Sequence, residues 1–256
     1  MLEKENRLAE LVPGLKSGDC RAYWFDTVSS TMDAAFNLEE ELVIDRTLII
    51  SDVQTTGRGR YSRRWFSTCE DIIFSLILTE YDFRVPYSML SAYAVFITLI
   101  NHKAPVMLKW INDVLWENGK KVSGVLTEEC RNRTVIGIGV NLNSEEMPLS
   151  VRNDSTSYYI ETGERILKED FLSSLIAELF LILDRVKKGG ITRVMNEWET
   201  EADLRGKRVR VINDSGEFKG IAAGINKKTG ALILNRDGGQ LEIYEGSLID
   251  VSDDEY

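Results

Sequence analysis

Histidine is almost missing from this 256-residue chain, which has one, and proline and cysteine are scarce at four and three. The single histidine, His102, gives only weak support to Ser-His-Asp or Cys-His hydrolysis. Its setting, Asn101-His102-Lys103-Ala104-Pro105, reads as a surface or helix-capping position. Cys20, Cys69 and Cys130 are scattered, odd in number and form no C-x-x-C pair, which argues against a disulfide framework and a structural zinc site. Positive charge is also short. Lys and Arg number 31 against 41 Asp and Glu, a net charge of −10, and such a field repels nucleic acid and anionic membranes. No apolar run reaches the roughly 20 residues of a membrane span; the longest, residues 72–78 and 176–183, are core-sized. The first seven residues lack the apolar centre of a signal peptide. A cytoplasmic protein with neither nucleic-acid nor membrane partner is expected. Two phosphate-binding signatures are missing as well. No G-x-x-x-x-G-K-[S/T] occurs, and G-x-G-x-x-G fails because Ser62 stands where the third glycine belongs.

What is present reads as mixed secondary structure. Apolar residues make up 43% and charged residues 28%, ordinary for a soluble globular chain with ample core material. Residues 2–11 can form a short helix, broken at Pro13-Gly14. Strands are predicted over 23–28, 47–53, 72–78, 106–110, 121–128 and 134–141, from their β-branched and apolar runs. The turn around Glu117-Asn118-Gly119 joins the 106–110 and 121–128 strands. Ser29-Ser30 caps a helix through about Asn37. Longer helices are predicted over 87–100, 168–188 and 191–203, the second stopped by Gly189-Gly190. After Gly206 the grammar changes to short strands (208–212, 218–226, 231–235, 241–244) separated by Gly- and Asp-containing turns, the pattern of a small all-β barrel. A boundary near residue 205 divides the chain into 1–205 and 206–256.

Against its acidic background, the segment Gln54-Thr55-Thr56-Gly57-Arg58-Gly59-Arg60-Tyr61-Ser62-Arg63-Arg64-Trp65 places four arginines in seven positions. Glycine allows close backbone approach, arginine brings forked donors for phosphate or carboxylate, and tryptophan offers a flat face. Together they suggest a pocket for a small anion with an aromatic part, such as a nucleotide. Like charges and two glycines also suggest a loop that is mobile until ligand orders it. Further polar groups sit at strand ends: Lys109, Asn112 and Asp113 in one segment, Lys121 and Gly124 in the next, then Gly137-Ile138-Gly139-Val140-Asn141. Strand termini are where ligand groups collect in α/β sheets, and glycine within a strand marks close approach of a ligand or another backbone.

Ser30-Thr31, Gln54, Gly57 to Trp65, Lys109-Trp110-x-Asn112-Asp113, Lys121-x-x-Gly124 and Gly137-x-Gly139-x-Asn141 resemble, in order, the motifs of the biotin–protein ligases. Residues 220–225 and 230–234 are similar to that family's SH3-like barrel. Ile111 stands where the family usually has proline, and Met32 where it commonly has asparagine. The resemblance implies an α+β fold: a mixed-sheet catalytic domain of the biotin/lipoate ligase type with helices packed on it, then the small barrel. It implies ATP-dependent activation of biotin to biotinyl-5′-AMP, with Mg²⁺, and transfer to a lysine of a biotin carboxyl carrier domain. By resemblance the catalytic residues are Lys121, Arg60 and Asp113. Biotin would meet Ser30, Thr31, Met32, Gln54, Gly57, Arg58, Gly59, Arg60, Lys121 and Gly124. ATP would meet Arg58, Arg60, Arg63, Trp65, Lys109, Asn112, Asp113, Lys121 and Asn141, with Trp65, Arg63 and Asn141 at the adenine. A homodimer through sheet edges is in keeping with the family. The short stretch before Ser30 reads as the monofunctional type, without a DNA-binding domain. A lipoate– or octanoyl-protein ligase is the nearest alternative, and a non-catalytic biotin or nucleotide sensor the alternative from another class.

Overall fold

The computed structural model describes residues 20–130 and 132–250, so the helix expected over residues 2–11 lies outside the described residues. The chain opens with strand β1 (Arg21–Val28), helix α1 (Thr31–Asn37), β2 (Thr47–Gln54) and β3 (Ile72–Leu78). Helix α2 (Tyr87–Asn101) leads to β4 (Val106–Lys109), β5 (Asp113–Trp116), β6 (Lys121–Cys130) and β7 (Arg133–Val140). Helices α3 (Tyr158–Thr162), α4 (Lys168–Arg185) and α5 (Ile191–Ala202) follow. The sheet order is β1-β2-β3-β7-β6-β5-β4, with β1 and β2 parallel and the other neighbours antiparallel. This is the mixed sheet expected.

The central strands β3 and β7 are buried along nearly their whole length because both sheet faces are covered. In β2, Leu48 and Ile50 join the large core beneath α2, α4 and α5, whereas Ile49 faces a second cluster with Tyr23, Met32, Ala35, Ile77 and Val135 beneath α1. The alternation follows from the two-residue period of a strand. Helix α1 starts where Ser30, extended at φ −155°, accepts a hydrogen bond from Asp33 N. Helix α4 ends at Arg185, three residues sooner than expected. A single wide turn over Val186–Gly190, with Gly189 at φ 85°, then reverses the chain into α5.

Beyond residue 206 lies a five-stranded antiparallel sheet in the order β11-β10-β9-β8-β12, built from β8 (Arg208–Asn213), β9 (Gly216–Ile225), β10 (Leu232–Arg236), β11 (Gly239–Ile243) and β12 (Ser247–Asp250). It fits the SH3-like barrel of the sequence reading. Two strands escaped that reading. β5 begins at Asp113, directly after turn-forming Asn112, and β12 is four residues long and follows the turn around Gly246.

Candidate functional site

The start of α1, the end of β2, strands β6 and β7, the arginine loop and the turn before β12 converge on a cavity of about 770 Å³. Its polar corner is built by the start of α1. Gln54 Oε1 accepts from Thr31 N at 2.7 Å and from Thr31 Oγ1 at 3.1 Å, while Ser75 Oγ donates to Thr31 Oγ1 at 2.8 Å. Met32 extends that wall, 3% exposed.

The floor is glycine. Gly124 of β6 and Gly139 of β7 are direct cross-strand partners. A Cβ on Gly139 would lie 2.4 Å from the Trp65 ring, and one on Gly124 would lie 2.7 Å from Lys121 Nζ. Gly137 gives the same clearance to Met32 Sδ, at 2.7 Å. The in-strand glycines therefore mark close approach, as expected, and what approaches here is the site's own side chains. Lys121 Nζ also sits 5.6 Å from the Trp65 ring centroid.

The arginine loop is folded back on itself. Gly59 N donates to Arg63 O at 2.8 Å and Trp65 N to Gly57 O at 2.9 Å, with a β-bridge between Arg58 and Arg64. Its charges are spread apart. Arg60 Nη1 donates to Asn112 Oδ1 and to Gly246 O, both at 3.1 Å, and its Nη2 to Tyr61 Oη at 3.1 Å. Arg63 is exposed beside the Tyr61 ring, and Arg64 lies over Phe66. Arg58 is held between Asp33 and Glu128. The mutual repulsion read from the sequence is thus relieved by local partners.

Lys121 Nζ lies 2.6 Å from Asp113 Oδ1, an ion pair whose alignment falls short of a hydrogen bond. Both side chains are about one-quarter exposed, so this pair faces the cavity. Asn112 is 7% exposed and donates from Nδ2 to Val125 O at 2.7 Å, which fixes the Oδ1 that receives Arg60. Lys109, at the end of β4, also lines the cavity.

The structure thus gathers Thr31, Met32, Gln54, Arg58, Gly59, Arg60, Arg63, Trp65, Lys109, Asn112, Asp113, Lys121 and Gly124 around one space. Three expected residues have other tasks. Ser30 is committed to capping α1. Gly57 is buried in the loop's own hydrogen bonding, where a Cβ would meet Trp65 O at 2.8 Å. Asn141, 3% exposed, donates from Nδ2 to Thr156 O at 2.9 Å and so fastens the chain before α3 instead of facing the cavity. The sequence reading missed the wall formed by Ser150, Val151, Asp154 and Ser155, and the Gly246 to Leu248 segment. The first is brought in by backbone bonds from Lys121 N to Asp154 O and from Thr156 N to Lys121 O. Neither carries a local sequence signal. His102, the lone histidine, caps α2 and packs its ring on Phe171 at 5.6 Å, away from the cavity.

Comparisons with known proteins find relatives over most of the chain. Residues 24–144 match the biotin/lipoate A/B protein ligase family, and residues 205–249 match the biotin protein ligase C terminal domain. The bifunctional ligase/repressor BirA of Bacillus spizizenii is 32% identical over 239 residues, which cover 87% of this chain and 72% of that protein. The biotin–[acetyl-CoA-carboxylase] ligase of Mycobacterium tuberculosis is 28% identical over 217 residues, 80% of this chain and 79% of its own length. Among solved structures, the biotin protein ligase from Aquifex aeolicus in complex with biotin and ATP superposes with a TM-score of 0.81 at 27% identity, covering 90% of this chain and 98% of that one. The chain belongs to the biotin protein ligase family.

Proposed function

We propose that this chain joins the carboxylate of biotin to the α-phosphate of ATP, releasing pyrophosphate, and then passes the biotinyl group to a lysine amine of a biotin carboxyl carrier domain with loss of AMP. The observation that carries this reading is the meeting of Lys121, Asp113 and Arg60 above a floor of Gly124 and Gly139. Two anions must be held together for the first step, which requires preorganised positive charge in a site shielded from water. Among the described residues Arg60 has neutral hydrogen-bond partners only, so its charge is available to an anion. Lys121 is restrained by one carboxylate, which aims its ammonium until the reacting oxygens take over that role. Asp113, released from Lys121, is then positioned to accept the proton of the incoming lysine amine.

The Thr31–Gln54–Ser75 group offers the neutral donors and acceptors that a ureido head needs, with Met32 and Leu126 as apolar walls. Trp65, lying on the glycine floor, offers the face for an adenine ring. Among the described residues no group of three His, Cys, Asp or Glu side chains could hold a metal. Mg²⁺ carried in with the ATP phosphates would neutralise their charge, and Asp113, a carboxylate lining the cavity, would be available to it. The scattered cysteines support a cytoplasmic setting, and among the described residues no helix is long and apolar enough to cross a membrane. A net charge of −10 supports a protein that works without nucleic acid.

The test is to incubate the chain with ATP, Mg²⁺, biotin and a carrier domain and to read the carrier's mass. Addition of one biotinyl group at one lysine is expected. Acylation by lipoate or octanoate in place of biotin would overturn the substrate assignment.

A further inference from the structure

The two arginines flanking Gly59 have opposite surroundings. Arg60 donates to an amide oxygen, a backbone carbonyl and a phenol. The Arg58 guanidinium instead spends its donors on two carboxylates. Its Nε and Nη2 donate to Asp33 Oδ1 at 3.3 and 3.1 Å, and its Nη1 donates to Glu128 Oε1. Asp33 belongs to α1, two residues after Thr31. Glu128 belongs to β6, the strand that also carries Lys121 and Gly124. Arg58 therefore ties the loop to both elements that carry the polar corner and the reactive lysine.

A forked cation between two carboxylates is a geometry that a lysine or a single pair would not reproduce. With two formal negative charges already on it, this guanidinium has no surplus charge to offer a third anion. Its anchor is also transmitted along the loop. Arg58 bridges Arg64, Gly59 N bonds Arg63 O, and Gly57 O accepts from Trp65 N. Fixing Arg58 thus fixes the hairpin on which Arg60 and Trp65 are mounted.

We propose that Asp33, Arg58 and Glu128 form a clamp that positions the arginine hairpin, and that Arg58 is a positioning residue while Arg60 alone of the two meets the reacting anions. The proposal rests on the adenylating function stated above, and it makes a prediction of sign. Neutralising the carboxylates should slacken the hairpin and weaken the hold on both substrates. If Arg58 were instead a direct phosphate ligand restrained by its neighbours, the same change would free its charge and tighten nucleotide binding.

The experiment uses the full chain as wild type, Asp33→Asn, Glu128→Gln and the double variant. Biotin-dependent pyrophosphate release gives KM and kcat, brief trypsin digestion reads cleavage within residues 58–64, and thermal melting reads global stability. The double variant is expected to raise KM for ATP and for biotin about tenfold with a smaller change in kcat, the pattern of lost binding. Trypsin should cut its hairpin faster while distant sites keep their rates. A fall in KM for ATP would overturn the proposal, as would a lower melting temperature with unchanged KM and unchanged hairpin cleavage. Should the double variant fail to fold, Glu128→Gln alone must move KM in the same direction. Absence of biotin-dependent pyrophosphate release in the wild type would sink the functional reading, and hairpin cleavage would still report on the clamp.

Discussion

Both sheets of this molecule press glycines against foreign side chains, and they do so to opposite ends. In the seven-stranded sheet, Gly124 and Gly139 sit opposite each other and leave a floor for Trp65 and Lys121, side chains that border a cavity. In the five-stranded sheet, Gly224 at φ 128° admits Glu199 of α5, and a Cβ there would lie 2.3 Å from Glu199 Oε1. Glu199 is nearly buried, accepts from Ile225 N at 2.7 Å, and is met by Arg205 at 3.0 Å and Lys227 at 2.6 Å. The barrel is further pinned where Trp110 Nε1 donates to Gly230 O at 2.9 Å. Gly124 and Gly139 seat side chains that border the cavity, whereas Gly224 seats an ion-paired carboxylate at the root of the barrel, whose Gly246 O accepts from Arg60. The same substitution should therefore cost activity in one region and stability in the other.

The largest effect belongs to Lys121. Lys121→Ala removes the aimed ammonium and is expected to slow adenylation by roughly 10²–10³, the usual loss of a preorganised transition-state partner. Melting should change little, because the side chain is partly exposed at a strand start. A near-normal rate of pyrophosphate release in this variant would remove Lys121 from the mechanism.

Gly139→Ala sharpens the contrast. The added methyl pushes on Trp65, and displacing that ring by about 1 Å is expected to cost about 10²-fold in kcat/KM, since misplacement on this scale disrupts reacting geometry. The ring can move toward the cavity, so the melting temperature should hold. If the variant unfolds while those molecules that remain folded keep full activity, the large-sheet half of the comparison fails.

Gly224→Ala should do the reverse. A side chain at φ 128° is strained and would displace the Glu199 carboxylate, which together are expected to cost about 2 kcal/mol of stability. Adenylation per folded molecule should stay near wild type. Chemical denaturation followed in parallel with activity would show whether the two losses separate.

The smallest effect is a pH dependence. Burial opposes ionisation of Glu199, but Lys227, the Ile225 amide and Arg205 together outweigh it and hold the carboxyl below its ordinary 4.5. A group lowered on folding stabilises fully above its unfolded value and loses that contribution as pH falls through the folded value. The barrel latch should thus weaken below about pH 4.5, and Glu199→Gln should flatten that part of the stability curve. An identical acid profile for the variant would mean that Glu199 takes no part in it.

Legibility from sequence divides along the same line. β3 emerged with both ends correct because Ile-Ile-Phe-Ser-Leu-Ile-Leu is buried along its whole length and has no competing turn chemistry. The residues around the cavity were legible as motifs because they fall in short runs at strand ends, Lys109 to Asp113 and Lys121 to Gly124, and in the one arginine-rich segment of an acidic chain. β5 was hidden because Asn112-Asp113 reads as a turn, although Asn112 in fact spends its amide on β6. Asn141 has the residue type of a ligand contact, yet a carbonyl fifteen residues away claims its Nδ2. The contact of Arg60 with Gly246 spans 186 positions, and neither residue's neighbours hint at it. The pairing of Arg58 with two carboxylates was likewise invisible, since Asp33 and Glu128 each look like ordinary solvated charges in their own segments.

The central claim is that the large-sheet cavity itself performs adenylation and selects its acid through the Thr31–Gln54–Ser75 corner. The direct measurement is pyrophosphate release by the full chain with ATP and Mg²⁺ and no carrier, in the presence of biotin, lipoate or neither. The account predicts a burst with biotin alone, of at most one pyrophosphate per chain, followed by slow turnover as the adenylate is retained. Equal release with lipoate, or release that does not depend on any acid, would contradict it.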